Sequence, residues 1–371
     1  MSQRGGIVSP RRRAFCPPFC PNSACLFHVS TRGWRFHRKG HFQRRAPPHR
    51  IPRYRCTHCG RSFSSQTFHP TYWQKRPELL LPCFHRLLGC SAYRQIAREF
   101  AVSPTTIQRQ LERLGRHCLL FHERHRPRGQ PREALVLDGF ESFEHSQYWI
   151  SEFHTLVGAE SHYSYAFTDS ERRRSGRMRP DQKRKRARLE RRYGRPHPRA
   201  VEDEVSALLA LTLSPGAHVT LRTDDHRAYP RALRRSGRRF THQVTPSTTP
   251  RTPHNPLFPV NLLHGLIRHT SANHKRETIA FSKRRQHSAY RLAIFQVWRN
   301  YLKSFSEKRR DATPAQRLGI LTRKLTVQAC LAERQFPSRI PLPERLARYY
   351  RGEMPTRALS RIQTHCLRYA Q

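Results

Sequence analysis

The chain has 371 residues, and its 71 lysines and arginines against 25 aspartates and glutamates give a formal net charge of +46. Self-repulsion of that size penalises a compact state, and the partner that best relieves it is a phosphate backbone, whose displaced counterions supply affinity. With no apolar run of about 18 residues, no lipidation box and no signal-peptide core, the expectation is a soluble, cytoplasmic protein with no membrane partner. At about 150 residues per domain, the length suggests two or three domains.

Five of the ten cysteines fall in the first 59 residues. "CPPFCPNSAC" supplies Cys16, Cys20 and Cys25, and "RYRCTHCGRSF" supplies Cys56 and Cys59. Two close pairs separated by a loop is zinc-ribbon spacing, because each knuckle brings two thiolates to one tetrahedral ion. Cys20, Cys25, Cys56 and Cys59 are the expected Zn²⁺ ligands, with Cys16, His28 and His58 as spares. The loop between the pairs interleaves Trp34, Phe36, Phe42 and Tyr54 with Arg and Lys. Such a face either stacks on bases or covers the metal site.

Residues 90–117, "CSAYRQIAREFAVSPTTIQRQLERLGRH", read as a helix-turn-helix. Ser91 is placed to cap a first helix carrying Tyr93, Ile96, Ala97 and Phe100. Ser103 and Pro104 open a second with Ile107, Leu111 and Leu114 inward. Its outward face offers Thr105, Thr106, Gln108, Arg109 and Gln110 to a major groove, although an ordinary helical hairpin has the same pattern.

Downstream, "EALVLDGFESFE" is an apolar strand broken by Asp138. "FHTLVGAESHYSYAFTDSE" reads as a strand pair, "AVEDEVSALLALTL" as a helix, and "HVTLRTDD" as a strand ending in Asp224 and Asp225. Two aspartates delivered by strand ends make an oxygen-rich site for Mg²⁺ or Mn²⁺ of the kind phosphoryl transfer uses. Alternatively, one of the pair caps the turn that follows.

Between the third strand and the helix lies a stretch from about 170 to 200 dominated by Arg and Lys, expected as a mobile, phosphate-seeking arm. Residues 286–305 read as an amphipathic helix through Tyr290, Ile294, Val297, Trp298, Tyr301 and Phe305. Lys275, Arg276, Lys283, Arg284 and Arg285, just upstream, are candidate DNA contacts. After Asp311 the chain suggests short helices and a basic tail, with Cys330 and Cys366 as ordinary buried thiols.

From "CPNSAC" and "RYRCTHCGRSFSSQTF" through "LVLDGFE" and "RTDDHRAYP" to "NHKRETIAFSKRRQ", the chain resembles bacterial insertion-sequence transposases of the DDE type, in the group with an N-terminal zinc ribbon and helix-turn-helix. The resemblance implies an α/β catalytic domain with a ribonuclease-H-like mixed sheet and flanking helices, preceded by the small zinc ribbon and the all-α helix-turn-helix. It implies boundaries at 1–79 for the zinc module, 80–128 for the helix-turn-helix, 129–305 for the catalytic domain and 306–371 for the basic tail. It also implies double-stranded DNA as partner, a homo-oligomer on bacterial DNA, and metal binding by Asp138 and Asp224. Relatives have a third acid about 35 residues past the second, but 37 positions on from Asp224 stands Asn261. Three options stay open: Asn261 or His264 as a neutral substitute, Glu277 as a displaced acid, or an inactive copy.

Overall fold

The computed structural model describes residues 15–127, 129–308, 310–357 and 359. The chain divides into two compact units, one ending at Pro77 and the other starting at Glu78.

The first unit is built on a three-stranded antiparallel sheet in the order β1 (Phe36–Gln43), β2 (Arg50–Cys56) and β3 (Ser62–Ser64). In β2 the side chains of Ile51, Tyr54 and Cys56 are buried while Arg50, Arg53 and Arg55 reach solvent. Trp34, Phe36, Tyr54 and Phe63 pack ring against ring with centroids 5.2 to 6.2 Å apart. Three of the four aromatics expected either to stack on bases or to cover the metal site thus pack against one another, and Trp34 also bonds Cys56. Phe42 stays exposed.

The second unit opens with α1 (Leu80–Leu88), α2 (Tyr93–Glu99) and α3 (Pro104–His125). A mixed five-strand sheet follows: β4 (Leu135–Glu144), β5 (Ser146–Gly158), β6 (Ser164–Arg172), β7 (His218–Thr223) and β8 (Arg239–Val244), in the order β6-β5-β4-β7-β8. β4, β5 and β6 form an antiparallel meander, whereas β7 pairs parallel with both β4 and β8. The parallel pairings require crossovers, and helices supply them. α4 (Pro180–Tyr193) and α5 (Ala200–Thr212) lie between β6 and β7, and α6 (Ala228–Arg235) joins β7 to β8. α7 (Phe258–Thr270) follows β8, and α8 (Arg285–Val297) runs on into a π-helical turn ending at Leu302. Short helices α9 (Pro314–Arg317) and α10 (Val327–Cys330) precede α11 (Glu344–Arg351).

Two faces of the sheet are covered differently. Thr155 on β5 contacts His264 of α7, while Thr168 on β6, which faces the other way, donates to the Glu204 carbonyl of α5 at 2.8 Å. The helices before and after the sheet share one hydrophobic cluster with it, from Leu79 to Met354. α3 crosses α8 so closely that a Cβ on Gly115 would lie 2.5 Å from the Tyr290 side chain.

Several expectations change here. Ala92, not Ser91, stands at the N-cap of α2, and its N–H donates to Gln95 Oε1 at 2.7 Å. The basic stretch after β6 is not an arm throughout: α4 is held down by Glu190, which pairs with Arg173, Arg186 and Arg195. α8 is not amphipathic but buried along its whole length. Its polar residues satisfy backbone carbonyls, as when Arg291 donates to Leu87 and Ser91, and Gln296 to Ser164. Arg285 is likewise no free cation, since it is buried and paired with Asp169 and Glu171. α11 is no loose tail: Arg345 and Tyr349 both bond Asp169 on β6. Cys330 is buried, and Cys366 lies outside the described residues.

Candidate functional site

Four thiols converge in the first unit. The Sγ atoms of Cys20, Cys25, Cys56 and Cys59 all lie within 4.8 Å of one another, with Cys20 3.6 Å from Cys59 and Cys25 4.0 Å from Cys56. Bonds of about 2.3 Å in a tetrahedron put sulfur atoms about 3.8 Å apart, so this set fits Zn²⁺. Burial pushes the Cys20 and Cys25 thiols up. At Cys56 burial acts the same way but is outweighed by the Cys59 backbone N–H and the Trp34 indole, which bring it down to about 6. Trp34 Nε1 donates to Cys56 Sγ at 3.3 Å, an orienting bond of the kind outer-shell groups make to metal ligands. Among the spares, Cys16 is exposed, His28 Nδ1 donates to the Cys20 carbonyl at 2.8 Å, and His58 Nδ1 sits 3.5 Å from Cys25 Sγ.

Carboxylates gather on the second unit's sheet. Leu135 pairs with Leu221 and Val136 with Arg222 across the parallel β4–β7 ladder. Two residues further on, Asp138 stands level with Asp224, which follows the last residue of β7. Asp138 Oδ1 accepts the Gly139 N–H at 2.7 Å, and its Oδ2 lies 3.7 Å from His264 Nδ1. Burial first, then the Asp224 charge, then Glu152, push Asp138 up to about 7 against the opposing Gly139 N–H and Arg251. His264 is driven down to about 3 by burial and by Arg268 and Arg251, so its contact with Asp138 is between a neutral ring and a carboxyl group. His264 Nε2 lies 2.8 Å from Thr155 Oγ1, giving a Thr–His–Asp chain. Thr155 is 1% exposed, so this chain orients the ring and does not present a nucleophile to substrate.

The remaining expected residues separate. Asp224 Oδ1 accepts the His226 N–H at 3.0 Å and so caps the turn into α6. Asp225 braces the loop after β8, accepting from Ser247 N and Oγ at 3.4 and 3.3 Å. Asn261 is half-buried one turn before His264, α7 carries no carboxylate, and Glu277 is exposed in the segment between α7 and α8. Among the described residues, the four cysteines form a group of metal-capable side chains within 4.8 Å of one another, whereas Asp138, Asp224 and His264 are spaced more widely.

Sequence reasoning missed Glu152 on β5. It is buried, and burial, only partly offset by Arg172, pushes it up to about 7, with Glu141 and Asp224 adding to the rise. The signal was available: "WISEFHTLV" is an apolar strand broken by one carboxylate, as "LVLDGF" is at Asp138.

Of the candidate DNA contacts, Thr105, Arg109, Lys275, Arg276 and Lys283 are exposed, and Thr106, Gln108 and Arg284 half-buried. Ser103 caps α3 by accepting the Thr106 N–H at 3.2 Å, and Gln108 donates to Glu112 at 2.9 Å. Gln110, expected on the outward face, is buried. Lys283 rests over the Phe281 ring at 3.9 Å.

No family model matches the chain, and no curated protein matches it. Among solved structures it is similar to a chain of the cryo-EM structure of the simian T-cell lymphotropic virus intasome in complex with PP2A regulatory subunit B56 gamma, at 13% identity and a TM-score of 0.24. The match covers 55% of this chain and 61% of that one.

Proposed function

We propose that the protein is a DNA transposase of the DDE type, which binds the ends of an insertion sequence and cuts and joins phosphodiesters with a divalent cation. The observation that carries this reading is the level placement of Asp138 on β4 and Asp224 just past the end of the neighbouring parallel strand β7, where the Asp224 charge adds to the rise of the Asp138 carboxyl. Like charges held level with each other favour an added cation, and hard carboxylate oxygens select Mg²⁺ or Mn²⁺. A mixed sheet in the order β6-β5-β4-β7-β8 supports a ribonuclease-H-like reading of the domain.

The cation, when bound by Asp138 and Asp224, supplies Lewis acidity and lowers the pKa of an attacking water or 3′-hydroxyl. The chain's own residues do the positioning. Neutral His264 fixes the side of Asp138 that faces α7, and the Gly139 N–H holds its other oxygen. Thr105, Thr106, Gln108 and Arg109 on α3 are suited to groove and phosphate contacts, with Lys275, Arg276, Lys283 and Arg284 holding DNA near the acids. A zinc-bound first unit would add a second DNA-binding module, and joining two ends calls for a homo-oligomer. Association with bacterial DNA follows from the same reading.

A cleavage and strand-transfer assay on double-stranded end DNA, in Mg²⁺ and in Mn²⁺, tests the proposal. Asp138→Asn and Asp224→Asn are expected to lower product at least about 10³-fold, since the cation contributes several kcal/mol to such a step. Equal product from wild type and both variants refutes it. The absence of a carboxylate on α7 favours a second reading, a DNA-binding protein that performs no chemistry. That protein would bind DNA and yield neither cut nor joined strands with either metal.

A further inference from the structure

We propose that a cleft between the start of β5, the end of β6 and α4 seats a phosphate monoester carried by the end of a DNA strand. DNA as the bearer rests on the reading above, whereas the cleft stands apart from the pair of aspartates. Ile150, which lines it, lies five residues along β5 from Thr155, the partner of Asp138, a distance of about 17 Å.

The cleft takes in about 400 Å³ up to its open mouth, and five arginines line it against three glutamates. Most of those charges are committed to one another. Arg173 pairs with Glu190 and Arg357 with Glu171, while Arg172 turns to Glu141 and Glu152. Glu144, the third acid of the lining, is buried, and burial pushes it up to about 8, so it brings little negative charge at neutral pH.

Arg174 and Arg186 remain. Arg186 Nη1 donates to the Arg174 carbonyl at 2.8 Å, which ties α4 to the chain leaving β6 and sets the two residues side by side. Among the described residues Arg174 pairs with no carboxylate, and its guanidinium lies over the Tyr148 ring, 5.0 Å from the centroid. Arg174 Nη1 and Arg186 Nε are both buried and lack an acceptor, Nε standing 3.5 Å from Glu190 Oε1 without a hydrogen bond. A buried guanidinium N–H without an acceptor is costly, and an anion removes that cost. The exposed Lys185 ammonium, 5.3 Å from the same Tyr148 centroid, adds a further cation beside Arg174.

These donors select the kind of anion. A guanidinium fork bonds two oxygens of one phosphate. A monoester offers three terminal oxygens and close to two charges, where an internal phosphodiester offers two oxygens and a single charge. A strand-end phosphate therefore answers both orphaned donors with one group and matches the surplus of arginines.

The test uses full-length, zinc-loaded protein without magnesium or manganese, so that no strand is cut. Two duplexes of one sequence, ending in 5′-phosphates or in 5′-hydroxyls and labelled internally, are titrated by fluorescence anisotropy. Wild type is expected to bind the phosphorylated duplex about tenfold more tightly, the difference that one charge-assisted pair makes. Arg174→Gln is expected to abolish that preference, and Arg174→Lys, which keeps the charge and loses the fork, to retain part of it. Arg177→Gln removes the same charge from an exposed position outside the cleft and is expected to weaken both duplexes alike. Thermal melting checks that each variant folds. If wild type binds the two duplexes equally, inorganic phosphate decides at matched ionic strength. A melting temperature raised by phosphate in wild type but not in Arg174→Gln keeps the monoester site and removes DNA as its bearer. No such rise overturns the inference and leaves DNA binding intact. Failure of both duplexes to bind would instead overturn the DNA reading, and the same phosphate melts would then judge the cleft by itself.

Discussion

Glu144, near the end of β4, faces Arg285, Glu171, Asp169 and the Thr356 hydroxyl. Burial pushes it up to about 8, since the attraction of Arg285 is offset by the charges of Glu171 and Asp169. A carboxyl group raised on folding holds its proton in the native state at pH values where the unfolded chain has lost it. Its contribution to stability is complete below the unfolded value near 4.5 and disappears as pH rises through about 8. The rise corresponds to about 5 kcal/mol at most, and relaxation of the site makes the observed effect smaller. Glu144→Gln is therefore expected to lose less stability than wild type in urea titrations run from pH 5 to pH 9, with the two curves diverging between about pH 5 and pH 8 and running parallel above that. Parallel curves below pH 8 would contradict the burial argument. At this scale the sequence was informative where a polar residue interrupts an apolar run or recurs at ligand spacing, which is how Asp138, Asp224 and the four cysteines were found. It could not show that Asp225 spends its carboxylate on Ser247, because that bond joins residues 22 apart through the folding of β8. Nor could it show that a glycine at 139 makes room for Glu152, since the room exists only once β4 and β5 pair.

Helices α3 and α8 illustrate what periodicity conveys and what it omits. Ile107, Leu111 and Leu114 were legible as an inward stripe on α3 because one face of that helix meets solvent. α8 was read as amphipathic because Arg291, Gln286 and Gln296 look like a wet face in sequence, yet each is buried and answers a backbone carbonyl. A helix surrounded by protein needs polar groups wherever neighbouring elements leave carbonyls unpaired, and those positions follow from tertiary contacts. The close crossing of the two helices gives a sharp prediction. Gly→Ala inside a helix ordinarily stabilises by about 1 kcal/mol. At Gly115 the new methyl would meet the Tyr290 ring at 2.5 Å, so Gly115→Ala is expected to destabilise by about 1–3 kcal/mol in chemical denaturation. A gain in stability would show that the helices are not packed this tightly. The same crossing explains why the helix-turn-helix segment and the sheet share a core, though residues 80–128 were expected as a separate module.

Considered whole, the molecule combines a small unit assembled around four thiols with a larger one whose acids are mostly committed to arginines. The first has little apolar core beyond its ring cluster, so its fold should depend on zinc. Cys56→Ser is expected to abolish zinc retention and remove the chelator-sensitive melting step, while the step belonging to the larger unit persists. A zinc-free protein that melts in the same two steps would contradict this.

The larger unit bears most directly on the +46 charge. α4 has two faces: Arg173, Arg186 and Arg195 pin Glu190 on one, while Lys183, Arg184, Lys185, Arg188, Arg191 and Arg192 are exposed. A pinned helix carrying exposed cations is a preorganised phosphate ladder, because its charges are already ordered before DNA arrives. If DNA lies along it, each phosphate contact releases a counterion and contributes about 0.9 to the slope of log affinity against log salt. Replacing Lys183, Arg184, Arg188 and Arg191 together with glutamine is then expected to reduce that slope by about 3–4, measured by fluorescence anisotropy between 50 and 200 mM salt. Glu190→Gln makes the complementary case, since it frees the helix while removing no cation. It should leave the slope nearly intact and weaken binding by the cost of ordering α4 on DNA. A slope unchanged by the fourfold substitution would mean that DNA runs elsewhere, and the exposed cations of α3 and of the segment before α8 would then have to carry the whole electrostatic load.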